Sequence, residues 1–252
     1  MFARMSGVMS PRLALSVACV ASLLAACGAN SDAADSGTPF EESPLPTIGL
    51  GTDLGSISGG TDIRQIDTGS IDSIVMIGDS ITVGSRDLLA ERFDFLGLEN
   101  VSITAQTGKR MAVSFGDNAS GANISEFVAA GQEEAGTVDD ALWIVALGTN
   151  DIGQYSDQDE VESAIDAVLA PIPPDAPLIW INTYFADRPE QTDEVNAAIE
   201  ARLRERGNAT IGRWNELAPQ EGVLRSDGVH PGQEGAVVFA DLVVTTMIDF
   251  LQ

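Results

Sequence analysis

"IVMIGDSITVGS", Ile74 to Ser85, is the stretch on which the fold turns. Four apolar residues, Ile74 to Ile77, run into Gly78-Asp79-Ser80 and then into a segment able to form a helix. An unbroken apolar run of this kind fits a strand buried on both faces, as in a parallel sheet. The strand then ends with an acid and a hydroxyl at its tip. Asp79 and Ser80 either cap the following helix or bring a nucleophile to the edge of a sheet.

Beyond this stretch, strands and helices alternate. Val101–Thr104 reads as a weaker strand, Leu142–Leu147 and Leu178–Ile181 as strong ones, and Thr210–Ile211 as a short one. Between them, Val161, Ile165, Val168 and Leu169 form a helical apolar stripe, and Val195, Ala198, Ile199 and Leu203 form another. A last helix is expected from about Gln233 to Phe250. Such alternation predicts a parallel sheet with helices on both faces. Ligands bind such sheets outside the carboxyl ends of the strands.

Upstream, residues 1–26 read as an address. Arg4 and Arg12 precede a twelve-residue apolar run, Leu13 to Leu24, too short to span a bilayer as an ordinary helix. Leu24-Ala25-Ala26-Cys27 follows and resembles the lipobox of bacterial lipoproteins, in which the cysteine after the cut carries the lipid. The alternative is an ordinary signal peptide cleaved near Ala26. Either reading predicts export, and the first adds a membrane anchor at Cys27. Residues 27–70, rich in Gly, Ser, Thr, Asp and Pro, read as a tether with a reach of roughly 35 Å. Residues 71–252 are expected to form one domain. Its "GLGTDLG" neighbour in the tether lacks dinucleotide-binding spacing.

The formal charge is −25, and Lys109 is the lone lysine. A surface so anionic repels phosphate backbones, which argues against nucleic-acid binding, and offers anionic lipid no polybasic patch. The acidity itself reads as a device for solubility. Cys19 lies in the leader and Cys27 at the cut, so the domain is expected to hold no thiol and no disulfide.

On the expected topology the strand ends share one rim. They carry Gly78-Asp79-Ser80, Thr107-Gly108-Lys109, Gly148-Thr149-Asn150-Asp151 and Asn182-Thr183-Tyr184, with Ser226-Asp227-Gly228-Val229-His230-Pro231 ahead of the last helix. His230 is the sole histidine, which excludes a His-rich metal site. Asp227, three residues earlier, can meet the ring Nδ1–H on a single turn while Nε2 points away. The same residues also suit a plain turn with an exposed histidine. Asn150 is a cap, a turn residue or a donor to a developing oxyanion. Gly108 is a turn glycine or a bare backbone N–H. Asn182 and Tyr184 line a pocket or merely end a strand. "TGKR" is no phosphate loop, because the upstream glycine is missing. No Gly-x-Ser-x-Gly elbow occurs.

The ordered blocks Gly78-Asp79-Ser80, Gly108, Gly148-Thr149-Asn150-Asp151 and Asp227-Gly228-Val229-His230 resemble the SGNH, or GDSL-type, hydrolase family. The resemblance implies a flavodoxin-like three-layer α/β/α sandwich on five parallel strands. It implies Ser80 as nucleophile, His230 as general base and acid, and Asp227 as its orienting carboxylate. The Ser80 and Gly108 N–H groups and the Asn150 amide would form the oxyanion hole. Asp79, Asn182 and Tyr184 are expected to touch substrate.

The chemistry so implied is acyl transfer from an ester through an acyl–Ser80 intermediate, with no metal or organic cofactor. The acceptor is water in an esterase, the first expectation, acting on short O-acyl groups of envelope glycans or small esters. It is a sugar hydroxyl in an O-acyltransferase. "DEVNAAIEARL" after "INTY", with "SDGVHP" beyond, is similar to the SGNH domains of envelope glycan O-acetyltransferases. The rival from another class is a non-catalytic envelope lipoprotein that binds glycan on the same fold. A monomer is expected.

Overall fold

The computed structural model describes residues 71, 73–135 and 141–252. The expected leader, Cys27 and tether lie outside the described residues. Within them, five parallel strands run β1 (Ser73–Gly78), β2 (Val101–Ala105), β3 (Ala141–Ala146), β4 (Leu178–Ile181) and β5 (Ala209–Gly212). Their spatial order is β2-β1-β3-β4-β5. The register sets Ile74 beside Val101 on one side and Leu142 on the other. All five expected strands are present, with ends moved by one residue or so.

Alternation along β1 separates two cores. Val75 and Ile77 face one layer with Trp143, Val145 and Trp180. Ile74 and Met76 face the other with Leu142, Ile144 and Ile179. The first layer is covered by α2 (Gly121–Ala135), α3 (Gln158–Leu169) and α4 (Pro189–Arg206). The stripes of α3 and α4 expected from periodicity are buried there, with Ile165, Val168, Ala198 and Ile199 all sealed from solvent. The second layer is covered by α1 (Ser80–Phe95), the one-turn α5 (Trp214–Leu217) and α6 (Gln233–Leu251). Trp214 and Phe239 of α6 meet in a T-shaped contact with ring centroids 5.3 Å apart. The three-layer sandwich is therefore the observed fold.

The helix α2 has no counterpart among the expected elements. Its sequence, GANISEFVAAGQEEA, is rich in Gly and Ala and leaves Phe127 78% exposed. Such a helix forms by docking on the sheet rather than through a clear apolar stripe.

The strand order places a topological switch between β1 and β3: the chain goes outward from β1 to β2, then returns across β1 to β3. A crevice opens at such a point, over the carboxyl ends of the two strands. The ends of β1 and β3 carry Ser80 and Asn150.

Candidate active site

Gly78 ends β1 for a steric reason. A Cβ at this position would lie 2.0 Å from Thr82 Oγ1, so only glycine lets the first turn of α1 fold back so closely. Asp79 is the N-cap of α1, and its Oδ1 accepts from the Ile81 N–H at 2.9 Å. Ser80 then begins the helix, with its side chain at the rim. Capping and hydroxyl display thus fall to neighbouring residues.

Opposite Ser80 stands the turn before α6. Arg225 N–H donates to the His230 carbonyl at 2.8 Å, Gly228 N–H to the Arg225 carbonyl at 3.0 Å, and Gly232 N–H to the Val223 carbonyl at 2.9 Å. Gly228 has φ 69°, and a Cβ there would sit 2.8 Å from Ala186. A side chain is excluded by both conformation and space. Within this turn Asp227 Oδ1 accepts from the Val229 and His230 N–H groups at 3.0 and 2.9 Å. Its Oδ2 lies 3.0 Å from His230 Nδ1. Those backbone bonds, first from His230 and then from Val229, together with the imidazole, hold the Asp227 carboxyl down to about 2. It stays ionised throughout the neutral range.

His230 Nε2 lies 2.9 Å from Ser80 Oγ, across 150 residues of chain. Hydroxyl, imidazole and carboxylate are therefore in line, with both ring nitrogens engaged. The imidazole and carboxylate side chains are 39% and 47% exposed, so the array is open to solvent.

The N–H groups of Ser80 and Gly108 meet no acceptor among the described residues. Ser80 is the first residue of α1, where helical N–H groups are unpaired and carry the positive end of the dipole. Asn150 sits in the one-turn 3₁₀ helix Thr149–Asp151 that follows β3. Its Nδ2 donates to the Lys109 carbonyl at 3.1 Å and, more weakly, to Asp79 Oδ2 at 3.3 Å. The amide thus ties the ends of β1 and β3 to the loop that carries Gly108. Donation to an oxyanion requires it to leave the longer bond.

Two residues without an assigned role in the sequence brace this arrangement. Asp151 is sealed from solvent and accepts from Met111 N–H at 3.0 Å, Arg110 Nε at 3.3 Å and Tyr155 OH at 2.7 Å. Lys109 is 1% exposed and donates to the Ala119 carbonyl at 2.5 Å and Asn118 Oδ1 at 3.2 Å. Burial pulls its ammonium below the ordinary lysine pKa. The available signal was a lone lysine in a chain of 38 acids, set beside a candidate oxyanion glycine.

The structure places the three expected substrate contacts as follows. Asp79 is 1% exposed and is spent on the cap and on Asn150. Asn182 is 6% exposed and exchanges two bonds with Asn215, through its Nδ2 at 2.7 Å and its Oδ1 at 3.0 Å. Tyr184 is half-buried and packs on the core layer of α1 and α6. The buried polar side chains of Asp79 and Asn182 thus have the hydrogen-bond partners that burial requires.

The profile of the GDSL-like lipase/acylhydrolase family matches residues 76–238, which includes every block of the site. The chain belongs to this family. It is a serine ester hydrolase of the SGNH type. A search of curated protein sequences gives no match to this hydrolase. Solved structures share its fold. The C-terminal catalytic domain of Streptococcus pneumoniae peptidoglycan O-acetyltransferase A, carrying a methylsulfonyl adduct, aligns with TM-score 0.50 and 20% identity over 71% of this chain and 94% of that one. A structure of TesA aligns at 0.53 and 16%, over 71% and 99%. The Clostridium thermocellum family 3 carbohydrate esterase aligns at 0.51 and 17%, over 71% and 96%.

Proposed function

We propose that this hydrolase cleaves short O-acyl esters of cell-envelope glycans through an acyl–Ser80 intermediate. The observation that carries the reading is the unbroken line from Ser80 Oγ through His230 Nε2 and Nδ1 to Asp227 Oδ2. As Ser80 Oγ bonds to the ester carbonyl carbon, its proton passes to His230 Nε2. The carbonyl oxygen becomes an oxyanion facing the Ser80 and Gly108 N–H groups and the Asn150 amide. The imidazolium, steadied by ionised Asp227, returns the proton to the departing alcohol as the C–O bond breaks. Water then attacks the acyl group and gives its proton to His230. The second tetrahedral intermediate collapses, releasing the acid and restoring the Ser80 hydroxyl.

The glycan part of the reading is supported by the lipobox-like residues 24–27, which on lipidation of Cys27 would hold the enzyme beside envelope polymers, and by the carbohydrate esterase and O-acetyltransferase that share its fold. Turnover of p-nitrophenyl acetate tests the catalytic assignment. The wild type should hydrolyse it, and Ser80→Ala and His230→Ala should each lose nearly all activity. Undiminished turnover by Ser80→Ala would remove the nucleophile from the scheme.

A further inference from the structure

Beyond the serine, an open cleft of about 200 Å³ lies where the first turns of α3 and α4 approach each other. Asp151, the residue after Asn150 in the 3₁₀ turn, is among its lining residues. Its floor is apolar, made by Val161 and Val195. One wall is Tyr155, whose phenol is held by Asp151 and whose ring lies 5.3 Å from the Arg110 guanidinium. The rim carries Asp157, Gln158, Gln191 and Glu194.

The rim has hydrogen-bonding capacity to spare. Gln191 and Glu194, both exposed on the first turns of α4, make no side-chain hydrogen bond among the described residues. Gln158 spends only its Nε2, on Glu162 at 3.2 Å, and Asp157 spends Oδ1 on the α3 cap. A small apolar floor with an aromatic wall and several unspent polar groups is the chemistry that holds a hydroxyl-rich, partly apolar ring. Charge narrows the choice. Asp157 and Glu194 line the rim on a chain of net charge −25, and the nearest cations are already engaged: Arg110 stacks on Tyr155 and pairs with Asp151, and Arg188, whose Nη1 lies close to Gly153, donates to the Ile152 carbonyl. A phosphate-bearing or uronic polymer would be repelled.

We propose that this cleft is a subsite for an uncharged sugar unit, so that the hydrolase takes a neutral glycan whose acylated residue sits at Ser80 and whose neighbouring unit lies between α3 and α4. The proposal rests on the ester-hydrolase reading of the same rim for its biological meaning, but its binding can be measured without catalysis. The Ser80→Ala protein would be titrated by calorimetry with N-acetylated chitotetraose and, separately, with poly(glycerol phosphate) of similar length. Saturable binding of the tetrasaccharide alone is expected, weakened at least about tenfold by Gln191→Ala combined with Glu194→Ala. In the active protein, the same pair should lower kcat/KM for O-acetylated chitotetraose at least about tenfold relative to kcat/KM for p-nitrophenyl acetate. No saturable tetrasaccharide binding, equal binding by the double variant, or equal binding of the polyphosphate would overturn the subsite. Loss of the hydrolase reading would appear elsewhere, as absent turnover of p-nitrophenyl acetate by the unmutated chain.

Discussion

Among single side chains, Asp79 holds a position that costs its carboxylate solvation. Desolvation raises its carboxyl to about 7, against the pull of the Ile81 N–H and the His230 ring, while Asp151 pushes the same way as burial. A carboxyl whose folded pKa exceeds its unfolded value of 3.8 binds more protons in the native state. Its contribution to stability is complete below about pH 4 and fades as pH rises through about 7. Asp227 has the opposite sign, with stability present above about 4 and lost toward its value near 2. Urea unfolding at pH 5 and pH 8 should therefore show a wild-type decline that Asp79→Asn reduces. An unchanged slope in Asp79→Asn would mean that this carboxyl does not titrate in that window. From the sequence, an acid in a Gly-Asp-Ser tip looked ready to meet substrate. Burial decides otherwise, and burial at a strand tip depends on the packing of Thr149 and α1, which no local pattern records.

At the scale of elements, the proposed oxyanion side is a clasp between two connections. The loop after β2 and the 3₁₀ turn after β3 share the bonds from Asn150 to the Lys109 carbonyl and from Met111 N–H and Arg110 to Asp151. The two consecutive residues should separate in experiment. Asn150→Ala should lower kcat about 10²–10³-fold with a smaller loss of stability than Asp151→Asn, since it removes one buried neutral donor. Asp151→Asn should instead cost roughly 1–3 kcal/mol of stability, because it removes an ionic partner from Arg110 and leaves fewer acceptors for three donors. Steady-state kinetics beside thermal melts would check this, and a stability loss confined to Asn150→Ala would reverse the two roles. The elements themselves were legible wherever hydrophobic pattern set them: β1, β3 and β4 as unbroken apolar runs, α3 and α4 as stripes. The helix α2 was not, because Gly and Ala dilute its stripe. Asp151 and Lys109 stood in readable blocks, but their work is tertiary and joins residues 40 or ten positions apart.

For the whole molecule, placement and charge set what the site meets. If the lipobox reading of residues 24–27 holds, an anchored domain on a long tether works within a few nanometres of a membrane. Cys27→Ser should then release the protein from the membrane fraction into the soluble fraction, and continued sedimentation with membranes would refute lipidation. Loss of residues 1–26 would remove two arginines and no acid, taking the charge from −25 to −27. The catalytic blocks were readable because the fold puts strand ends on one rim, so four short motifs in order can be mapped to one place before any coordinate is known. What lies between α3 and α4 was not readable, since a cleft is defined by the spacing of helices rather than by any one segment. The central claim is that Ser80, activated by His230, takes the acyl group. Its most direct test is to treat the protein with an aryl sulfonyl fluoride and map the adduct by peptide mass spectrometry. One adduct on the peptide bearing Ser80, slowed strongly by His230→Ala, is the result expected; modification at another residue, or an unlabelled Ser80 in a protein still turning over ester, would contradict the account.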